Sequence, residues 1–201
     1  MLGQMSTEEF DDLLARAAAG DAAAFADLWR ATNPALVRYL RVLAGEQAED
    51  IASEAWLKVV RGLNAFVGDE DGFRAWIATI ARRTFVDAQR RPGYRTEVLV
   101  ADVADLDWLE ARTTDAADLV LERMSTGAAL QLMHELPKDQ AEMIALRVIV
   151  GLDHSEVAAI VGRSSGAVRV SVHRGLRRLQ RLLDDVAVPA GPRVERVSQH
   201  D

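Results

Sequence analysis

Apolar positions along this chain recur at spacings of three and four, and helices are the elements they predict. Ser6 with Glu9 has the form of a capping box opening a helix through Ala19, and Gly20 ends it. A second helical stretch begins at Asp21 and carries Phe25, Leu28 and Trp29, then Leu36, Val37, Leu40 and Leu43, up to Gly45. Asn33-Pro34 is expected to break or kink it, since proline disfavours helix at the residue before it. From about Gln47 to Leu63, the residues Ile51, Ala55, Val59 and Leu63 form an inner stripe, widened by Trp56 and Val60. Asp50, Glu54, Leu57, Lys58 and Arg61 fall on the other side. A polar, glycine-bounded loop from Phe66 to Gly72 then leads to an amphipathic helix, Phe73 to Arg91, stopped by Pro92. Its apolar members are Phe73, Trp76, Ile77, Ile80 and Phe85. Its charge comes from Arg74, Arg82, Arg83, Arg90 and Arg91.

Beyond Pro92 the periodicity lapses to about Thr126. Acidic residues and Thr113-Thr114 suggest a linker, with Val98 to Val103 extended and Trp108 and Leu109 giving it some apolar content. Ala129, Leu130, Leu132, Met133 and Leu136 then predict a short helix ended by Pro137, and Lys138 to Val150 another, ended by Gly151. Strand-like alternation is scarce. The expected fold class is all-α: two small helical domains, residues 1–92 and 127–184, joined by an acidic linker over 93–126, with a disordered tail over 185–201.

The stretch from Asp153 to Leu183 is the most specific. Asp153 and Glu156 can form a capping box, Val157, Ile160 and Val161 supply an apolar side, and Gly162 ends the helix. Ser164 is a natural cap for the next helix. There Val168, Val172, Leu176, Leu179 and Leu183 make one apolar stripe, and Arg169, Val170, His173, Arg174, Arg177 and Arg181 lie opposite. A short helix, a glycine turn and a second helix with one basic face is the helix-turn-helix pattern, whose second helix enters the DNA major groove. Arginine there can bridge the two acceptors of guanine.

Composition narrows the classes. There is no cysteine, which excludes disulfides, zinc ribbons and thiol catalysis and suits a reducing cytoplasm. No signal peptide or membrane span is visible, so no membrane insertion is expected. The net charge of −7 argues against a DNA binder until its distribution is considered. Arg163–Leu183 holds six Arg and no acid, Arg74–Arg91 five Arg and one Asp, and Gly93–Gly127 eight acids against three bases. Two basic faces are thus separated by an acidic connector.

Candidate chemistry follows these faces. Aromatic residues beside arginine on the 73–91 helix suit single-stranded nucleic acid, where bases stack on rings and arginine follows phosphates. Trp76 taken alone fits a core position equally well. Asp50 and Glu54, one turn apart, lack a His at ligand spacing and lack the partner pairs of a bundle metal site. A solvated face suits them better, and Leu57 among charges allows a protein-docking surface. His134, His154, His173 and His200 have no ligand or triad context, and no glycine-rich phosphate loop occurs. Neither metal nor cofactor is expected, and the chain reads as no enzyme.

In order and spacing, GDAAAFADLW, AEDIASEAWLKVV at 48–60 and FRAWIATIARR at 73–83 resemble region 2 of bacterial sigma factors of the extracytoplasmic-function type, the minimal members of the sigma-70 family. Residues 136–179, LPKDQAEMIALRVIVGLDHSEVAAIVGRSSGAVRVSVHRGLRRL, resemble region 4. The resemblance implies docking of the 48–61 helix on the clamp coiled coil of the largest subunit of core RNA polymerase, through Asp50, Glu54, Leu57, Lys58 and Arg61. It implies a hold on the melting −10 promoter element by the Phe66–Gly72 loop and by Arg74, Arg82, Arg83, Arg90 and Arg91, with Trp76 bracing the loop. It implies −35 reading by Arg169, Val170, Ser171, His173, Arg174 and Arg177, a region 4 contact to the flap of the second-largest subunit, and an acidic linker threading the polymerase channel. An anti-sigma factor is expected on the same ground. The chain departs from the family at Arg83, commonly Asn, and at Val170 and Ser171, often a polar and a basic residue. The competing expectation is a self-sufficient helix-turn-helix regulator, with residues 1–126 as a sensing or dimerising domain.

Overall fold

The computed structural model describes residues 6–91 and 132–187. The expected linker with its extended stretch at 98–103, the start of the helix at 129, the tail beyond 187 and the side chain of Leu183 lie outside the described residues. Every regular element among the described residues is helical.

Helix α1 (Thr7–Ala18) opens on the expected box: Glu9 N donates to Ser6 Oγ at 3.2 Å and Ser6 N to Glu9 Oε2 at 2.8 Å. Helix α2 (Ala22–Ala44) starts at Asp21, whose carboxylate accepts from the amides of Ala23 and Ala24 and from Arg16. The Arg16 hydrogen bond, followed by those amides, lowers the Asp21 pKa. Contrary to the expected break, α2 continues through Pro34. Local preference is overridden by tertiary contacts: Leu28, Thr32, Leu36, Tyr39 and Leu40 are all buried, and Trp56 Nε1 donates to Asn33 Oδ1 at 2.9 Å. That bond holds in helical conformation the residue that proline disfavours there.

After a 3-10 turn at Gly45–Gln47, helix α3 (Ala48–Gly62) buries Ile51, Ala52, Ala55, Trp56 and Val59. Val60 is 52% exposed and widens the outer face rather than the inner stripe. Helix α4 (Glu70–Gln89) begins earlier than expected, inside the segment read as a loop. Asp69 caps it by accepting from Gly72 N at 2.9 Å, and Glu70 and Asp71 suit the positive end of the helix dipole.

In the second unit Met133 and Leu136 are buried, and α5 (Lys138–Ile144) passes into a wider π-helical turn at Ala145–Val150. Gly151, at φ +87°, ends it in the left-handed conformation that glycine tolerates. Helix α6 (His154–Val161) has its capping box: Asp153 accepts from Ser155 N and Glu156 N, and Asp153 N donates to Glu156 Oε2 at 2.7 Å. Helix α7 (Ser165–Ala187) starts at Ser164, whose Oγ accepts from Ala167 N, and buries Val168, Val172, Leu176 and Leu179. It extends beyond Leu183 into the stretch expected to be tail.

The two units pack against each other. Helices α2 and α4 face α5, its π turn and α6, and the buried apolar residues of both form one continuous core. Helix α7 packs chiefly on α5 and α6. A polar bridge crosses the interface: Arg82 Nε donates to Glu142 Oε1 at 2.7 Å and Nη2 to Oε2 at 3.4 Å, while the hydroxyl of the fully buried Tyr39 reaches Oε1 at 3.3 Å.

Candidate nucleic-acid and polymerase interfaces

On α7 the apolar stripe turns inward and leaves Arg169, Arg174, Arg177, Arg178 and Arg181 exposed, with Val170 and Ser171 half-buried. The guanidinium groups of Arg169 and Arg177 make no hydrogen bond or ion pair among the described residues. His173 differs. Both its ring nitrogens are shielded from solvent and without a hydrogen-bond partner, so in this arrangement they are not open to a duplex. His154, at the start of α6, has its pKa lowered by burial and then by the charges of Arg147 and Arg169. Arg169 therefore lies within electrostatic reach of the start of α6.

Helix α4 divides its arginines into two kinds. Arg83 and Arg90 are exposed and unpaired among the described residues. Arg74 is held by Glu70 and Asp71 of its own first turn. Arg91 donates to both carboxylate oxygens of Glu54 on α3, at 3.0 and 3.2 Å, and this hydrogen bond raises its pKa. Arg82 is engaged by Glu142; burial works against its charge, but the Glu142 hydrogen bond and charge outweigh it and the pKa is raised. Trp76 stacks on Phe66 with ring centroids 5.0 Å apart and lies 5.9 Å from Phe73, which meets Phe10 edge-on. A Cβ on Gly62 would stand 3.0 Å from the Trp76 ring, so glycine admits the indole there. This cluster anchors Phe66, and the next residue, Val67, is left 95% exposed at the tip of the loop.

The outer face of α3 presents Leu57, 60% exposed, with Val60 beside it and Asp50 and Arg61 flanking them. Glu54 is committed to Arg91. Lys58 turns toward α4, donating to Thr84 Oγ1 at 2.9 Å and lying 3.9 Å from Asp87. The face is thus an apolar patch rimmed by charge, the form of a protein-contact surface. Among the described residues no group of three or more His, Asp or Glu is placed to hold a metal ion, and no helix is long and apolar enough to cross a membrane.

Family models match both units: Sigma-70 region 2 over residues 28–93 and Sigma-70, region 4 over residues 126–179. The chain is 34% identical over 195 residues to the ECF RNA polymerase sigma factor SigD of Mycobacterium tuberculosis, spanning 93% of this chain and 88% of that one. It belongs to the extracytoplasmic-function sigma factors of the sigma-70 family. Another relative, the ECF RNA polymerase sigma factor BldN of Streptomyces coelicolor, is 34% identical over 178 residues, which are 88% of this chain and 66% of BldN. Among solved structures, CnrH in complex with the cytosolic domain of CnrY has a similar fold, with a TM-score of 0.55 and 26% identity over 88% of this chain and 97% of CnrH.

In this sigma factor the region 2 match takes in α2 from Leu28, α3 and α4, and the region 4 match takes in α5, α6 and most of α7. Sequence reasoning missed Tyr39, Glu142 and Asn33. Glu142 stands between Ala141 and Met143, where the polar Lys138–Gln140 stretch gives way to an apolar run, and its partners stand 60 and 103 positions away. Burial, followed by the charge of Glu142, pushes the Tyr39 phenol well above its ordinary pKa, so it stays a neutral donor.

Proposed function

We propose that this protein is a promoter-specificity subunit that joins core RNA polymerase, holds the −10 and −35 elements and helps open the duplex. The observation that carries the reading is the presence, in one chain and in order, of a region 2 unit and a region 4 unit. The exposed arginines of α7 support duplex reading at −35, where the flanking phosphates fix position and base contacts specify. Arg83, Arg90 and the Phe66–Val67 loop tip support capture of unpaired −10 bases. Gripping one element as duplex and the other as single strand favours the melted state, because the protein binds that state better. The outer face of α3 supports docking on the clamp coiled coil, and region 4 takes the flap of the second-largest subunit. The polymerase performs the chemistry, and this chain acts with no cofactor in the cytoplasm. An anti-sigma factor belongs to the reading through the family resemblance alone.

Run-off transcription on a genomic library tests it. Core polymerase plus this chain yields discrete starts that neither gives alone, and these starts return the consensus. Tight, specific duplex binding by the chain alone, as a dimer on paired half-sites, would instead establish the self-sufficient regulator.

A further inference from the structure

We infer that Glu142 is a latch residue: it closes region 4 over the α4 face of region 2 in the free chain, where its carboxylate occupies the place on Arg82 that a nucleic-acid phosphate takes in the opened form. The inference rests on the assignment of α4 to the −10 element and adds to it a closed state and the residue that holds it.

The geometry gives the latch its strength. Glu142 is 13% exposed at its side chain and Arg82 31%. Two guanidinium bonds and the Tyr39 hydroxyl converge on one carboxylate. Removing either charge strands the other in a partly desolvated interface, whereas parting the two units returns both to water. The closed form therefore depends on the pair more than an exposed bridge would.

The same interface carries weaknesses that let it part. A cavity of about 280 Å³ remains between α2, α4 and the π turn, lined by Thr32, Arg38, Arg74, Ile77, Ile149 and Val150. Two of its lining groups, Thr32 Oγ1 and Arg74 Nε, are buried without a hydrogen-bond partner, and such groups cost free energy that water would restore on opening. On the other side a cavity of about 340 Å³ lies between Val42, Phe85, Met133, Lys138 and Glu142. Both spaces are clefts partly open to solvent, so the facing surfaces of the two units are not packed together throughout. Helix α7 stands outside this interface, packing chiefly on α5 and α6. The latch thus covers Arg82 of α4 and leaves Arg83, Arg90, the Val67 loop tip and the −35 helix presented.

The chain has no cysteine, so paired spin labels at Ser53→Cys and Arg178→Cys report the distance between the units without background. The labelled full chain shows one short distance. Glu142→Gln shifts it toward longer distances, raising the open-to-closed ratio by about fivefold or more. Glu142→Arg does the same, and adding Arg82→Glu to it restores the short distance, which a variant that merely misfolds cannot do. On a single-stranded oligonucleotide Glu142→Gln binds more tightly than the parent chain. An unchanged distance in both Glu142 variants overturns the latch. Longer distances with unchanged oligonucleotide binding overturn the assignment of Arg82 to nucleic acid, and with it the masking, while leaving the hinge itself measured. Failure of the parent chain to direct run-off transcription is read separately and strikes only the sigma-factor function.

Discussion

His173 and Arg174 are neighbours on α7 and differ in what they offer a duplex. Arg174 stands on the exposed face, while both ring nitrogens of His173 are covered and unpaired. Helical period assigns a residue to a face, but it does not say whether the side chain lies out in water or folded against the protein. Arg174→Ala is expected to weaken transcription from −35-dependent promoters by about 1–3 kcal/mol if the contact is to a base. Run-off assays on templates with intact and scrambled −35 elements measure it, and equal loss on both would place Arg174 on phosphate alone. His154 yields a pH effect. Burial, then Arg147 and Arg169, lowers its folded pKa, so the folded chain binds fewer protons than the unfolded one. Its share of stability is present above the unfolded value of about 6.5 and is lost as pH falls through the folded pKa. The unfolding midpoint should drop between about pH 7 and pH 5, with a shallower slope in His154→Gln. Equal slopes would remove His154 from the account.

At the scale of elements, legibility followed the range of the interaction. Both capping boxes were readable because donor and acceptor sit three residues apart, and both formed. Asp153→Ala is expected to lower the thermal midpoint by leaving the amides of Ser155 and Glu156 without their acceptor; circular dichroism melts check this. The start of α4 was misread because Gly72 suggested a loop, whereas Asp69 takes the Gly72 amide as a cap. The persistence of α2 through Pro34 could not be read locally, since Trp56, which holds Asn33, lies in another helix. The crossing of α7 over α5 is also a long-range fact: a Cβ on Gly175 would stand 2.5 Å from Cδ1 of the fully buried Ile144. Gly175→Leu should therefore overpack this crossing by about 1–3 kcal/mol. Chemical denaturation with an unchanged midpoint would show that Ile144 yields freely.

For the whole molecule, the two-unit all-α plan was legible from periodicity and punctuation, and the way the units meet was not. No local rule pairs Arg82 with Glu142. The proposed docking face lay between these cases. Charges around Leu57 were visible in sequence, but the structure adds Val60 to the patch and withdraws Glu54 and Lys58 toward α4. Leu57→Glu tests the patch without disturbing those internal contacts. It is expected to cut capture of core polymerase by about tenfold while the melting curve is preserved, and full capture would refute docking through this face.

The Glu54–Arg91 pair ties the outer face of α3 to the end of α4. On the proposed function, a clamp residue that drew off Glu54 would leave Arg91 with an uncompensated charge for a phosphate to meet. By reciprocity, a strand that took Arg91 would free Glu54 for the polymerase. Arg91 is exposed and Glu54 half-exposed, and the pair is modest in strength, so this coupling would adjust and not gate. Salt should erode it sooner than the sheltered Arg82–Glu142 bridge. One small protein would then carry two electrostatic linkages with different ionic-strength thresholds, one between its partners and one between its own halves.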